Sequence, residues 1–392
     1  MPLNDTQTKH LVVSDTGVRN PSQMAERVAL FDETGNRISI PSQAELNSQY
    51  GRVTTGTLGR QNHVAGYSLN AIASDVEAGV IAGGGQVNYE NIIGGDGSVT
   101  VNTTTPNVAS TGTSANYGII PGGYDNVAGG LASALIGWHN YTAIGTTHGI
   151  VMGAVNKITS GDYNTVLGGQ LNTCSGGAAV VMGGQSNTAS GGQSVVAGGD
   201  TNTASAQYSS VLGGRNNTAS GFYAAVAGGY NTASGQSSFA IGERAVAPNN
   251  GEFAQANGRF ATDGDAQTSV MVVRQTTTNA SFGILGIIPG TSIPVLPNNT
   301  TWAWQCLIVG RRTDASDNAG YLLSGVIARG ANAASTALVG TVTTTVLAES
   351  DSTWDVTAVA DGTPGGLQIR VTGASGKTVK WVGRLQLTQV SG

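Results

Sequence analysis

Charge is what this sequence is shortest of. Charged residues fill 10% of its 392 positions, against roughly 25% in an average globular protein. The 18 Lys and Arg are scattered, with no basic block. A nucleic-acid surface needs clustered cations to displace counterions, so no nucleic-acid partner is expected. There are two cysteines, Cys174 and Cys306, far apart in the chain, which argues against a disulfide framework. No run approaches the roughly 18 apolar residues of a membrane helix. The opening Met1-Pro2-Leu3-Asn4-Asp5 lacks the basic and apolar regions of a secretion signal. Synthesis in a cytoplasm, without a membrane anchor, is the expectation. Of the four histidines, His139 and His148 stand nine apart with no Cys or carboxylate at ligand spacing. Neither a metal nor a cofactor is expected. No helix follows the Gly-x-Gly strings, so they are not a phosphate-binding fingerprint.

Glycine is abundant instead, at 59 residues, about twice the usual share. It recurs on a fixed period. Gly168, Gly183, Gly198, Gly213 and Gly228 are each 15 apart, and each precedes a second Gly. A Val-rich tetrad leads into four of the pairs, as in Val181-Met182-Gly183-Gly184 and Val211-Leu212-Gly213-Gly214. Asn172, Asn187, Asn202 and Asn217 follow, each before a Thr, and Asn231 continues the series. Fixed residue types at a fixed period are the signature of a solenoid. Fifteen residues hold two short strands and two tight turns. Glycine supplies positive φ at one corner, and Asn, Ser and Gly build the other. Coils then stack about 4.7–4.9 Å apart, with Asn laddering to Asn. Each coil buries only two or three small or medium apolar side chains, a thin core against about 1–2 kcal/mol of backbone entropy per residue. Stacking and lateral association of several chains are both expected.

The repeat resembles the head repeat of trimeric autotransporter adhesins. The match is carried by Val226-Ala227-Gly228-Gly229-Tyr230-Asn231-Thr232-Ala233-Ser234-Gly235 and by Ser238-Phe239-Ala240-Ile241-Gly242. That resemblance implies an all-β fold, a homotrimeric left-handed parallel β-roll of 15-residue coils over 118–247. An autotransporter would carry a secretion signal and a terminal membrane anchor. Bacteriophage fibres use the same roll without them, so a virion component is favoured, made in the host cytoplasm.

The flanks differ. Residues 1–50 contain a hairpin pattern around Gly35-Asn36. They resemble the segment by which phage fibres attach to a baseplate, tail or capsid protein, and read equally as a capping hairpin for the roll. Residues 51–117 are an irregular roll or transition, and 248–267 a connector. Residues 268–392 hold four of the five Trp and alternating runs such as Trp302-Ala303-Trp304-Gln305-Cys306-Leu307. They predict a C-terminal antiparallel β-sandwich, resembling C-terminal domains of phage tail fibres. Its Trp302, Trp304, Trp381 and Cys306 are expected to be buried by the period of two.

Function is expected in loops on this rigid domain. The candidates for a bacterial surface glycan or protein receptor are Arg311, Arg312, Asp314, Asp317, Asn318 and Tyr321. An Arg–Asp pair that merely holds the loop is the alternative. Glycoside hydrolysis needs two positioned carboxylates. In the roll Asp162, Asp200 and Glu243 stand alone, and the Glu349, Asp351, Asp355 cluster reads as a charged loop. The expectation is therefore a non-enzymatic trimeric fibre for host adsorption. A polysaccharide-degrading tailspike, a purely structural capsid or collar fibre, and a cellular adhesin are the alternatives.

Overall fold

A computed structural model describes residues 117–392, apart from 291 and 315, together with short segments at 30–31, 37–38, 52–55, 61–65, 71–72, 80–83 and 92–93. Among these residues the only helical turn is the 3-10 segment Ala333–Ser335. Leu30–Phe31 and Arg37–Ile38 pair antiparallel. The turn expected between them lies outside the described residues, as does much of the expected transition over 51–117.

The repeat folds as a parallel β-solenoid with two stacks of short strands. Along the first stack Val166 pairs with Val181, Val181 with Val196, and Val196 with Val211. The second stack has eleven strands, from Ala71–Ile72 to Val246–Ala247. The parallel register runs on to Phe253–Asn257. Before the regular array, Val80 pairs directly with Ile119, and Ile92 with Val127.

The interior is as thin as the sequence implies. One residue per strand points inward: Val181, Val196 and Val211 from the first stack, Ala189, Ala204 and Ala219 from the second, all fully buried. Such small side chains bring the stacks close, and the space at the corner goes to a column of fully buried asparagines. Asn187 is typical. Its Oδ1 accepts the backbone N–H of Asn202 at 2.9 Å. Its Nδ2 donates to the carbonyls of Gly183 and Gly199, both at 2.9 Å. The ladder therefore runs mainly through the backbone. Direct amide-to-amide bonds occur at Asn217–Asn202 and Asn231–Asn217, at 3.1 and 3.2 Å. Each buried polar group left without a partner costs about 1–3 kcal/mol, so the column fixes the coil register.

The two glycines of a pair do different things. A Cβ on Gly199 would meet the Gly214 carbonyl oxygen at 2.0 Å, whereas one on Gly198 would meet nothing closer than 4.0 Å. In this pair the second glycine is required by the approach of the next coil, the first by its backbone angle (φ +145°) alone; at Gly228-Gly229 it is the first glycine that takes the close approach.

The C-terminal region grows out of the last coil. Phe253–Asn257 pairs antiparallel with Ala266–Thr277. That strand continues through Val379–Ser391, Thr300–Arg312, Asn318–Arg329 and Ala337–Glu349, all antiparallel. A second, three-stranded sheet comprises Phe282–Leu285, Gly366–Thr372 and Asp355–Asp361. One buried cluster draws on both sheets, including Trp302, Cys306 and Ile308 from the first and Val356, Ile369 and Val371 from the second. It is separate from the core of the roll. Trp302, Trp304 and Trp381 are buried, as their alternation predicts. Burial pushes the thiols of Cys174 and Cys306 up to about 12.

Candidate functional site

The loop singled out in the sequence joins Thr300–Arg312 to Asn318–Arg329. Its charges are largely spent on one another. Arg312 pairs with Asp314 at 3.0 Å and with Asp317 at 3.3 Å. Lys377, from a neighbouring turn, reaches Asp317 at 3.2 Å and Asp351 at 2.8 Å. The Lys377 hydrogen bond holds the Asp351 carboxyl well below the usual carboxylate range. Ser316 donates to Asp314 at 2.8 Å, which with its backbone N–H lowers that carboxyl too. Asn318 is tied to Ser350 by its backbone, at 2.7 and 2.9 Å. The loop is thus clamped to the turn that follows Ala337–Glu349, and the holding role is the one these contacts supply.

Tyr321 stands apart from the rest. It is 1% exposed, and its hydroxyl donates to Glu349 at 2.9 Å. Burial, then the Glu349 hydrogen bond, raises its phenol above the ordinary value. It has no free edge for a ligand, because the pairing of Asn318–Arg329 turns position 321 inward. Arg311 points the other way, exposed, and forms no ion pair with another described residue. Lys377 and Ser350 were missed as members of the loop cluster. Only the long-range register brings them there.

Several isolated polar side chains of the roll are also paired or stacked. Asp200 meets Arg215 of the next coil at 3.3 Å. His139 contacts the Asp125 carboxylate one coil earlier, and the His148 ring stacks on Tyr163 with centroids 4.8 Å apart. The structural positions Gly168, Gly183, Gly198, Gly213 and Gly228, with Asn172, Asn187, Asn202, Asn217 and Asn231, all lie in the solenoid corner. Among the described residues no three metal-ligating side chains come together.

Known proteins bear on the roll. The grass antifreeze beta roll family matches residues 144–242, the stretch where the coils are most regular. No curated protein sequence matches the chain. Two solved structures are similar in outline. One is the tailspike protein gp49 of Acinetobacter baumannii bacteriophage Fri1, a capsular polysaccharide depolymerase. It has 9% identity and a TM-score of 0.23, with 90% of this chain and 74% of that chain covered. The other is the tailspike protein of Acinetobacter baumannii phage AM24, with 9% identity and a TM-score of 0.23, covering 86% and 68%. In architecture the described chain is an all-β protein built on a parallel β-solenoid, and the family match covers about a quarter of its length. At such similarity neither tailspike assigns a residue or a reaction to it. The expectation of a non-enzymatic fibre is nonetheless corrected, because one of these two similar appendages is an enzyme.

Proposed function

We propose that this chain is a phage tail appendage, assembled as a homotrimer. Its roll is the shaft, and its C-terminal sheets, taken as a sandwich, form the tip that contacts a bacterial surface. The N-terminal segment would join it to a baseplate, tail or capsid protein, giving a virion location. The observation that carries the reading is the outward side of the first stack. Each coil presents two residues there, for example Val180 and Met182, then Val195 and Ala197, then Ser210 and Leu212. From Ile150 to Phe253 neither outward rank holds a charge. Leu167, Met182 and Leu212 are 47%, 52% and 61% exposed. An uncharged, largely apolar strip of this length marks a contact surface, and identical chains can cover it along its whole length. Three copies also give a tip with threefold avidity.

Light scattering tests this directly. The expected mass is three times the 39.4 kDa chain. Leu212→Glu places a carboxylate in the strip and should reduce the mass, although position 212 is exposed in the single chain. A monomer from the unaltered protein overturns the reading. Polysaccharide degradation, the activity named for the Fri1 tailspike, is the second reading. Oligosaccharides released from host capsule by the purified protein would establish it.

A further inference from the structure

The outward side of the C-terminal sheet carries a chemistry that the roll lacks. In the antiparallel register Lys380 lies directly opposite Arg311. Arg384 lies opposite Val272 and Leu307, and Arg274 lies opposite Val382. All four cations are exposed and alternate with inward-facing residues, so they share one side of the sheet. They stand on three adjacent strands, within the reach of direct and diagonal neighbours. No ion pair between described residues involves any of them. Neither these three strands nor the adjoining Asn318–Arg329 contains an Asp or Glu. Like charges directly opposite one another are destabilising, and Arg311 beside Lys380 is such a pair. Four unneutralised cations are grouped here in a chain whose net charge is −5.

Directly beside the cations on the same side stand the exposed Val272, Leu307, Val309 and Val382, and further along the strands come neutral hydrogen-bonding groups. Gln386 faces Gln305, and Gln305 faces Ser324. With Thr388 they line a groove of about 490 Å³. Amides and a hydroxyl suit sugar hydroxyls, and the cations beside them suit carboxylates or sulfates. No aromatic ring lies among the outward residues of these strands to stack a nucleic-acid base.

We propose that this side of the tip binds an acidic polysaccharide. The sugar hydroxyls would lie along the Gln305–Gln386 groove, and the acid groups over Arg274, Arg311, Lys380 and Arg384. This rests on the reading of the C-terminal domain as a surface-contacting tip and names its ligand class. Electrostatic attraction at such a patch is local and salt-sensitive, while the rest of the molecule repels polyanions.

The experiment measures binding of the full chain to alginate, dextran sulfate and uncharged dextran, with light scattering on the same samples. Alginate and dextran sulfate should bind, dextran should not, and binding should weaken as NaCl rises. Arg311→Gln combined with Lys380→Gln should weaken it about tenfold or more. Lys157→Gln, an exposed cation of the roll, should leave it unchanged. The proposal is overturned if neither acidic polymer binds, if dextran binds equally, or if the double variant behaves as Lys157→Gln. It is also overturned if a DNA duplex binds more tightly than either polysaccharide, or if the double variant changes the oligomeric mass. A trimer that ignores alginate and dextran sulfate sinks this inference alone, whereas a monomer sinks the shaft-and-tip reading.

Discussion

The roll and the C-terminal sheets share a continuous run of backbone hydrogen bonds but are held together by opposite means. In the roll the side chains are small and the backbone decides. Val and Ala fill the interior, the Asn column saturates the corner, and coils approach so closely that a Cβ will not fit at Gly199. In the C-terminal region the strands are long and large side chains decide. Trp302, Trp304, Trp354 and Trp381 fill the space between two sheets. Fifteen-residue coils give a rod whose length can grow by repetition. Twelve- and thirteen-residue strands give a fixed body with room for a groove and a patch. The outward side of the roll's first stack carries no charge from Ile150 to Phe253, whereas that of the C-terminal sheet sets Arg274, Arg311, Lys380 and Arg384 among exposed Val and Leu.

The comparison is broken most severely at the corner glycines. Gly199→Ala drives a methyl group into the Gly214 carbonyl oxygen. Nothing soft is available to move, so a loss of more than about 5 kcal/mol is expected, beyond the usual range for a point change. Gly198→Ala meets only a backbone penalty of about 1–3 kcal/mol. Thermal unfolding followed by far-ultraviolet dichroism should separate the pair clearly. Equal melting points would show that coil contact does not set the glycine requirement.

Next in size is a change aimed at the other region. Trp302 is fully buried, and its indole N–H donates to Gln389 at 2.7 Å. Trp302→Ala should cost about 3–5 kcal/mol and abolish much of the near-ultraviolet dichroism of the C-terminal sheets. Because the two apolar cores are separate, the roll should keep its own melting transition. A single shifted transition for the whole chain would show that the two regions fold as one unit.

The repeat was legible because a solenoid repeats its environment. Each coil meets the next at the same position, so the period, the glycine pair and the Asn column are written in one dimension. Burial of Trp302, Trp304, Trp381 and Cys306 followed from simple alternation. What alternation could not give was register between distant strands. Arg312, Asp314 and Asp317 were placed in one loop by sequence, but their partner Lys377 is 60 residues from Asp317. Tyr321 sits near the loop in sequence, yet the same alternation that exposes Arg311 buries it against Glu349. The chain contains no basic block, and still Arg274, Arg311, Lys380 and Arg384 meet on one side of a sheet. Such a patch is a product of pairing, and composition alone argues against it.

The smallest effect is expected where the two regions join. Glu252 sits at the end of the roll, 2% exposed, with its Oε2 accepting from the backbone and side-chain nitrogens of Asn249 at 3.0 and 2.9 Å. Asn249 in turn accepts the Val295 N–H at 3.2 Å, which links the last coil to the C-terminal region. Burial raises the Glu252 carboxyl above its ordinary value, against the lowering effect of these hydrogen bonds. A carboxyl raised in the folded state favours folding only while it is protonated. Its contribution is therefore present below the unfolded value near 4.3, is lost as pH rises through the folded value, and leaves a constant penalty above it. Glu252→Gln keeps an acceptor for Asn249 and removes the charge. The variant should melt a few degrees higher than the parent at pH 8, and the gap should close as the pH is lowered towards 4. A gap that is independent of pH would mean that shape, not charge, governs this position.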